Sequence, residues 1–296
     1  MTKVQLRGVA WFGIGLLFSV LWSSASAATK IGLRSAQPFT ICVIRFFIAG
    51  PLMLGIAHGL LRNRLPSGRE WKQLAIYGAL NISIYLGLYV VAMQQVSPGL
   101  GSLATATSPV FINLITGWVF QQRLRAPVYI SLVLCSAGVV LAAWPLLRNS
   151  SATPQGLLIL LLSMLSYSAG VIYFSRQAWN NLPVLVINGW QTLMGGVFIL
   201  PVALLTYHRG ANMLDSGFWG AVLWLAIPVS IAAVQLWLYL LRENATRASF
   251  WLFLTPVSGF VIANLFMHEQ VGLYTLTGMI LVIIGLYLVQ RNKVAG

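Results

Sequence analysis

Residues Ser97–Gln122 read SPGLGSLATATSPVFINLITGWVFQQ, an apolar segment with a Ser-Pro pair near its centre. Residues Asn244–Glu269 read NATRASFWLFLTPVSGFVIANLFMHE and carry a Thr-Pro pair at the corresponding place. The two prolines, Pro109 and Pro256, are 256 − 109 = 147 residues apart, which is about half of the chain. Further pairs keep this offset: Ser102 and Ser249, Val110 and Val257, Leu134 and Leu281, Gly138 and Gly285. Composition alone would explain a general likeness of apolar segments, but the conserved spacing of a proline and a glycine favours an internal repeat.

The composition predicts that this chain lies in a membrane. Hydrophobic residues make up 58% of it and charged residues only 7%, and the mean hydropathy is +0.84. A water-soluble domain of 296 residues would need more charge on its surface. Because open strands cannot satisfy their backbone in lipid, the spans are predicted to be helices of about 20 residues each. The predicted spans are approximately 8–29, 38–61, 71–94, 99–120, 127–147, 157–176, 184–207, 217–241, 245–267 and 272–290.

The chain is therefore predicted to be an all-α integral membrane protein with ten transmembrane helices in two five-helix repeats. Residues 1–147 form the predicted first repeat, the polar segment 148–156 (RNSSATPQG) connects the halves, and residues 157–296 form the second repeat. With five spans in each half, the second half must run in the opposite direction across the membrane. Such inverted-topology repeats are typical of secondary transporters, whose substrate sites lie between the halves near the midplane.

The basic residues predict the orientation in the membrane. Of 18 lysines and arginines, 13 fall on one side, 4 fall on the other (Lys30, Arg34, Arg148 and Arg209), and Arg45 lies inside a span. Because loops rich in lysine and arginine stay in the cytoplasm, both termini are predicted to be cytoplasmic, in the plasma (inner) membrane of the cell. Ala25-Ser26-Ala27 resembles a signal-peptidase site, but cleavage there would remove most of span 1, so we expect this segment to be retained.

The opening of the chain resembles a known family. Within Leu21–Gly50 lie a tryptophan, a lysine, a proline and an Arg-Phe pair in the order of the drug/metabolite transporter superfamily, specifically its EamA-type members: Trp22, Lys30, Pro38 and Arg45-Phe46. The resemblance extends over the whole chain through the Ser-Pro and Thr-Pro spans. It implies a transporter, and members of the family export amino acids, other metabolites and drugs. One departure is that Gln121-Gln122 stand where the family usually has a glutamate, whereas the second half keeps Glu269.

Enzymatic and metal-binding functions are disfavoured by the residues themselves. The hydrolase and metalloprotease motifs are absent, and the four acids, Glu70, Asp215, Glu243 and Glu269, all lie in loops or at span ends. Cys42 and Cys135 are isolated in apolar stretches, which is typical of packing residues. No basic patch interleaved with aromatic residues suggests nucleic-acid binding. We therefore expect no enzyme activity, metal or cofactor, and a small molecule and the lipid bilayer as partners.

The distribution of acids also bears on the cargo. Proton-driven export of a cation usually needs a carboxylate inside the membrane, and no span interior contains one. A neutral or zwitterionic metabolite such as an amino acid, exported by alternating access, is the favoured function. A channel or facilitative pore and a multidrug exporter of the same superfamily remain alternatives. The sequence does not determine the coupling ion, nor whether the protein is a monomer or a homodimer.

Polar and aromatic residues inside the spans are the candidates for the substrate cavity. They are Trp22, Ser23, Ser26, Arg45, Asn81, Tyr85, Tyr89, Tyr167, Trp190, Gln191, Gln235 and Tyr239, with Pro109 and Pro256 as helix-kink positions. The aromatic residues are equally typical of membrane interfaces. An arginine at a helix centre costs about 2.5–3.5 kcal/mol on insertion scales, so Arg45 is expected to face protein or water. A structural role, in which it reaches the headgroups or joins helices, is favoured, and contact with a substrate carboxylate is the functional alternative.

The orientation is tested by a reporter fused after Gly296. A reporter that is active only in the cytoplasm is expected to be active, because 13 basic residues fall on the predicted cytoplasmic side. A fusion that is active only on the periplasmic or exterior side would contradict the ten-span topology.

Overall fold

The computed structural model describes residues 3–119, 121, 126–148 and 152–294, and these residues form helices without a strand. The α-helices are α1 Lys3–Gly32, α2 Pro38–Leu54, α3 Arg69–Gly78, α4 Tyr85–Met93, α5 Pro98–Ala106, α6 Ser108–Val119, α7 Ala126–Arg148, α8 Pro154–Arg176, α9 Val184–Leu205, α10 Ser216–Trp224, α11 Val234–Met267 and α12 Leu273–Val294. Seven helical segments of the described chain are long and apolar enough to cross a membrane, and two shorter apolar ones follow. The predicted all-helical membrane class is confirmed, while the count of ten spans stays a prediction.

Three helical segments are wound as π-helices. Gly55–Leu60 continues α2, Ala79–Ile84 joins α3 to α4, and Leu225–Ala233 joins α10 to α11. The last two occupy equivalent places in the two halves, because Ser83 and Ser230 are 147 residues apart. Each serine donates a hydrogen bond to the carbonyl five residues earlier, at 3.4 Å and 2.9 Å respectively. Such wide turns are often found at functional sites.

Helix α11 is continuous by backbone hydrogen bonding through residues 242–244, but the chain reverses direction between Leu240 and Trp251. The segment before the reversal runs antiparallel to α1: Ala221 lies beside Gly32, and Trp237 stacks on Phe18. The segment after it runs parallel to α1: Ser19 bonds the Trp251 carbonyl, Ser23 bonds the Thr255 carbonyl and Arg34 contacts Met267. The polar sequence RENATR at 242–247 lies within this reversal, which agrees with the predicted boundary between spans 8 and 9.

The two symmetry-related prolines have different effects on their helices. The chain turns at Thr107, between α5 and α6, and Pro109 lies in the first turn of α6. Pro256 lies inside α11, which is unbroken there. The carbonyl of Thr255 accepts hydrogen bonds from the hydroxyls of Ser23, at 2.8 Å, and Ser102, at 3.0 Å. The first proline therefore accompanies a helix break two residues earlier, and the second lies in a continuous helix, where its kink stays a prediction.

The two halves of the chain pack on each other through four main helix pairs, which are α1 with α11, α2 with α9, α4 with α8 and α7 with α12. In the α7–α12 pair, the Cys135 thiol lies 3.7 Å from the carbonyl oxygen of Val282, its equivalent at the 147-residue offset. A residue that contacts its own equivalent lies at the pseudo-twofold axis. Gly138 permits the close approach there, because a Cβ on it would be 2.5 Å from the Gly278 carbonyl oxygen.

Replacing Gly138 with leucine is expected to destabilise the protein by about 1–3 kcal/mol, because the obstructing atom belongs to the backbone of α12 and cannot rotate away. Gly13→Leu is the control, since a Cβ at Gly13 on α1 has no atom within 4 Å. Thermal unfolding of the purified proteins in detergent is the measurement. Equal midpoints for both variants would contradict the proposed packing of α7 on α12.

Candidate substrate cavity

A cavity of about 190 Å³ lies between the two halves of the chain. Helices α1, α2, α3, α4 and α5 line it from the first half, and α8, α9, α11 and the Leu225–Ala233 turn line it from the second. No carboxylate is found among the described residues that line it. Its polar and aromatic lining residues are Trp22, Ser26, Thr29, Arg45, Tyr77, Asn81, Tyr85, Tyr89, Thr105, Tyr167, Phe174, Asn188, Gln191, Thr192, Ser230 and Trp237.

Eight of the residues expected at the substrate site line this cavity: Trp22, Ser26, Arg45, Asn81, Tyr85, Tyr89, Tyr167 and Gln191. Among them are Arg45 and Gln191, which occupy similar places in the two halves at an offset of 191 − 45 = 146 residues. The structure thus brings together residues from helices far apart in sequence. Their role in binding a substrate stays a prediction.

Ser23 and Trp190 do not line the cavity. Ser23 faces α11, where its hydroxyl bonds the Thr255 carbonyl, because the serine side of α1 is partly used for helix packing. Trp190 packs edge-on against Trp71 at 4.7 Å between ring centroids and donates from Nε1 to His58 Nε2 at 3.1 Å. Adjacent helical residues point in directions about 100° apart, so Gln191 faces the cavity while Trp190 faces away.

Gln235 and Tyr239 also lie outside the cavity. On helix α11 the lining positions are Val234 and Trp237, which are three residues apart and share a face. Gln235 and Tyr239 are four residues apart and share a different face. Tyr239 is 47% exposed on the outer surface of the bundle. The sequence analysis therefore selected residues on a face of this helix that does not line the cavity.

Arg45 is only 5% exposed and does not reach the surface of the protein. Its Nε donates a hydrogen bond to the Ser230 hydroxyl oxygen at 3.0 Å, and its guanidinium carbon lies 5.6 Å from the centre of the Phe46 ring. Among the described residues no carboxylate forms an ion pair with it. The headgroup alternative is therefore excluded by burial. A buried cation without a counterion is costly unless a partner arrives, which makes Arg45 a candidate ligand-binding group.

A chain of side-chain amides runs from the first half of the protein to the second. The Asn81 amide nitrogen donates to Gln191 Oε1 at 3.1 Å, and Gln191 Nε2 donates to Asn188 Oδ1 at 2.9 Å. Asn188 Nδ2 then donates to the backbone carbonyl of Ser230 at 3.0 Å. Asn188 and Ser230 were not predicted from the sequence. Two signals could have found them: Asn188 is three residues before Gln191 on one helix face, and Ser230 is 147 residues after Ser83.

One end of the bundle, here called the Lys30 end, joins the halves through Glu269. Its carboxylate accepts hydrogen bonds from the Ser97 hydroxyl at 2.6 Å and the Gly99 backbone nitrogen at 3.0 Å, at the start of α5. Burial raises the pKa of the Glu269 carboxyl, while these two hydrogen bonds and the charge of Lys30 act in the opposite direction. Lys30 donates to the carbonyl of Met93 at 2.8 Å, at the end of α4.

The equivalent place in the first half keeps only part of this arrangement. Gln121 has the same left-handed backbone as its equivalent His268, with φ of 50° and 54°. The next residue in the first half, Gln122, which replaces the family's glutamate, lies outside the described residues. The retained acid, Glu269, therefore forms hydrogen bonds between the halves at one end of the bundle.

The opposite end, here called the Arg64 end, contains a bidentate ion pair within the first half. The Arg64 guanidinium contacts the two carboxylate oxygens of Glu70 at 2.7 Å and 2.6 Å. It also donates to the backbone carbonyl of Asn180, in the second half, at 2.9 Å. Hydrogen bonds between the halves thus exist at both ends of the bundle, with the cavity between them.

The geometry of two related halves around a central cavity agrees with the comparisons to known proteins. The model of the EamA-like transporter family matches residues 8–144 and again residues 154–291. The chain belongs to the EamA-like transporter family. Its resemblance to the drug/metabolite transporter superfamily is thereby confirmed, and the protein is a transporter of that group.

Relatives of this EamA-family protein are similar over most of their length. An uncharacterized transporter of Synechocystis is 25% identical, covering 92% of this chain and 87% of the relative. Protein PecM of Dickeya dadantii is 26% identical over 91% and 89% of the two chains. The uncharacterized inner membrane transporter YedA of Escherichia coli is 28% identical over 83% and 79%. A solved crystal structure with 20% identity covers 95% of this chain and 96% of its own at a TM-score of 0.67, and so shares the fold.

The Glu269→Gln variant is expected to lower the stability by about 1–3 kcal/mol, because charge-assisted hydrogen bonds to Ser97 and Gly99 would be weakened. His268→Asn is the neighbouring control, since asparagine tolerates the left-handed backbone that His268 adopts. Thermal unfolding in detergent compares the two. A midpoint for Glu269→Gln equal to the wild type would show that this carboxylate does not hold the halves together.

Proposed function

We propose that this EamA-family protein exports a small neutral or zwitterionic metabolite, such as an amino acid, by alternating access. The observation that carries the proposal is the cavity between the halves, which combines one buried arginine, three side-chain amides and aromatic walls without a carboxylate. Transporters built from inverted repeats bind their cargo at such a place. The proposal includes no enzymatic activity and no cofactor, with the small-molecule cargo and the lipid bilayer as the partners.

The size of the cavity favours a metabolite over a drug. Sites for drug-sized ligands typically enclose about 300–1,000 Å³, whereas this cavity encloses about 190 Å³. Its walls include Trp22, Tyr85 and Trp237, which suit an apolar or aromatic side chain on the cargo. A multidrug exporter would require a larger or more open site than the one that these residues form.

The contacts at the two ends favour a carrier over a channel. Glu269 with Ser97 at the Lys30 end, and Arg64 with Asn180 at the Arg64 end, connect the halves by hydrogen bonds that could break and form in alternation. The absence of a carboxylate among the described cavity residues also argues against a dedicated exchanger of cations for protons.

The setting of the protein in the cell is part of the proposal. The name of the YedA relative, an inner membrane transporter, supports a location in the inner membrane. Both termini are placed in the cytoplasm by the distribution of basic residues. The Lys30 end then faces outward and the Arg64 end faces the cytoplasm.

Purified protein in liposomes, supplied with a panel of labelled amino acids and nucleosides, tests this function. Saturable uptake of one class is expected, because a carrier binds its cargo in each cycle. Conductance without saturation would favour the channel instead, and saturable uptake of bulky cationic drugs alone would favour the multidrug exporter.

A cavity-filling substitution gives a sharper prediction. Ala25→Trp places an indole ring where Ala25 lines the cavity, and it is expected to reduce saturable uptake at least about tenfold by steric exclusion. Val20→Trp is the matched control on the same helix, because Val20 is exposed on the outer surface of the bundle. Both variants are first compared by size-exclusion chromatography. Unchanged uptake by folded Ala25→Trp would show that cargo does not pass through this cavity.

A further inference from the structure

Arg45 carries the only formal charge among the described residues that line the cavity. Its side chain is only 5% exposed, so the charge is largely removed from water. Lysine or histidine could escape this cost by losing a proton, but a guanidinium stays charged inside proteins. The cavity therefore contains one positive charge that needs a negative partner.

The carboxylates whose side chains the structure describes are engaged elsewhere. Glu70 pairs with an arginine at the Arg64 end, Asp215 caps the start of α10, and Glu269 joins the halves at the Lys30 end. None of these three acids lines the cavity. They therefore cannot balance the charge of Arg45.

The weakly acidic side chains beside Arg45 supply no negative charge either. Arg45 interacts electrostatically with Cys42, Tyr85 and Tyr89, and all three are buried. A thiol or phenol buried in apolar surroundings keeps its proton at neutral pH. The Cys42 thiol, moreover, lies 3.9 Å from the Leu86 carbonyl oxygen, to which only the protonated form can donate. These groups are neutral, and the tyrosine hydroxyls are potential hydrogen-bond donors.

The guanidinium is held in place by one nitrogen only. The Ser230 hydroxyl donates to the Leu225 carbonyl at 2.9 Å and therefore accepts from Arg45 Nε at 3.0 Å. The two terminal nitrogens have no acceptor among the described residues. The amide oxygens of Gln191 and Asn188, which line the same cavity, are already engaged in hydrogen bonds of 3.1 Å and 2.9 Å. The terminal nitrogens of Arg45 are thus fixed, charged donors without a partner on the protein.

We propose that the cavity holds a small monovalent inorganic anion, a halide such as chloride, on the terminal nitrogens of Arg45. One negative charge makes the described lining neutral, whereas a doubly charged oxyanion would replace one uncompensated charge by another. A monatomic anion accepts hydrogen bonds from any direction. It can therefore use the guanidinium together with tyrosine hydroxyls of the same cavity, without the fixed spacing that a larger ligand requires.

This anion site goes beyond the proposed function and does not depend on it, because it follows from the charge and the hydrogen bonds of Arg45. It also bears on that function. With the anion bound, the described lining of the cavity carries no net charge, which suits a neutral or zwitterionic cargo.

Thermal unfolding of the purified full-length protein in detergent tests the binding of the anion. Sodium chloride or sodium bromide is titrated into halide-free buffer, and sodium isethionate, a bulkier organic anion, keeps the ionic strength constant. The midpoint of the wild type is expected to rise and then to level off, because a ligand that binds only the folded state stabilises it by mass action. A midpoint that does not respond to either halide would overturn the inference.

Arg45→Gln separates an anion site from a purely structural arginine. In halide-free buffer this variant is expected to be at least as stable as the wild type, because it removes an uncompensated buried charge. Its midpoint should not rise with chloride, so the wild type becomes the more stable protein at saturating chloride. If the variant is instead less stable by the same amount at every chloride concentration, Arg45 is structural and the inference is wrong.

Arg209→Gln is the matched control, because it removes an arginine that is exposed to solvent. Ions in solution already screen an exposed charge, so this variant should keep the chloride response of the wild type. Loss of the response in Arg209→Gln as well would indicate a general salt effect and would count against the site.

Anomalous diffraction from wild-type crystals grown in sodium bromide locates the anion and needs no variant that must fold. A peak within hydrogen-bond distance of the terminal nitrogens of Arg45 is expected, and bromide bound only elsewhere would overturn the inference. Stronger stabilisation by phosphate or acetate than by chloride at equal concentration would also overturn it, because the site would then suit an oxyanion.

Transport in liposomes distinguishes failure of this inference from failure of the proposed function. Chloride-dependent stabilisation through Arg45 without saturable uptake of any cargo would leave the anion site and contradict the carrier. Saturable uptake without chloride-dependent stabilisation would leave the carrier and contradict the anion site.

Discussion

A guanidinium enclosed by apolar helices imposes the constraint on which the centre of this structure depends. Arg45 has no carboxylate partner among the described residues, and a single hydrogen bond to Ser230 holds its Nε. Removal from water makes such a charge unfavourable. Nearby polar groups or a bound ligand must therefore replace the hydrogen bonds that water would have made with the guanidinium. The amides on the neighbouring helix are attached to the same residue, because Asn188 donates to the Ser230 backbone carbonyl. One residue of a π-turn thus supports both branches of the polar network.

The internal repeat explains how such a centre can form. Related halves that run in opposite directions place equivalent residues on opposite sides of a pseudo-twofold axis, where Cys135 contacts Val282. Equivalent positions in the two halves carry chemically different side chains on a similar backbone. An arginine in one half corresponds to Gln191 in the other, and the two π-turn serines have different partners. The repeat supplies a common backbone arrangement, while the differences between equivalent residues place different polar groups on the two sides of the cavity.

The connections at the two ends of the bundle differ in kind from the packing at the pseudo-twofold axis. The contacts there are polar hydrogen bonds, and the contacts between α7 and α12 are close and made by small residues. Hydrogen bonds near water can exchange with solvent at little cost, whereas a closely packed helix pair resists separation. A carrier that alternates between two openings needs this combination of a stable axis and reversible ends. In the proposed alternating-access cycle, the same cavity would open to one side at a time.

The sequence by itself determined the membrane class, the helical fold, the 147-residue repeat and the presence of Arg45 inside the protein, because hydropathy and spacing are properties of the chain. It also indicated eight of the residues that line the cavity. Only the tertiary structure decided which face of α11 points inward, so Gln235 and Tyr239 were misplaced while Val234 and Trp237 line the cavity. Helical periodicity shows which residues share a face, but it does not show which neighbouring helix that face contacts. A π-turn also rotates the faces of the following residues by about one residue. The hydrogen bond from Arg45 to Ser230 joins residues 185 positions apart, so no periodic pattern in the sequence predicts it.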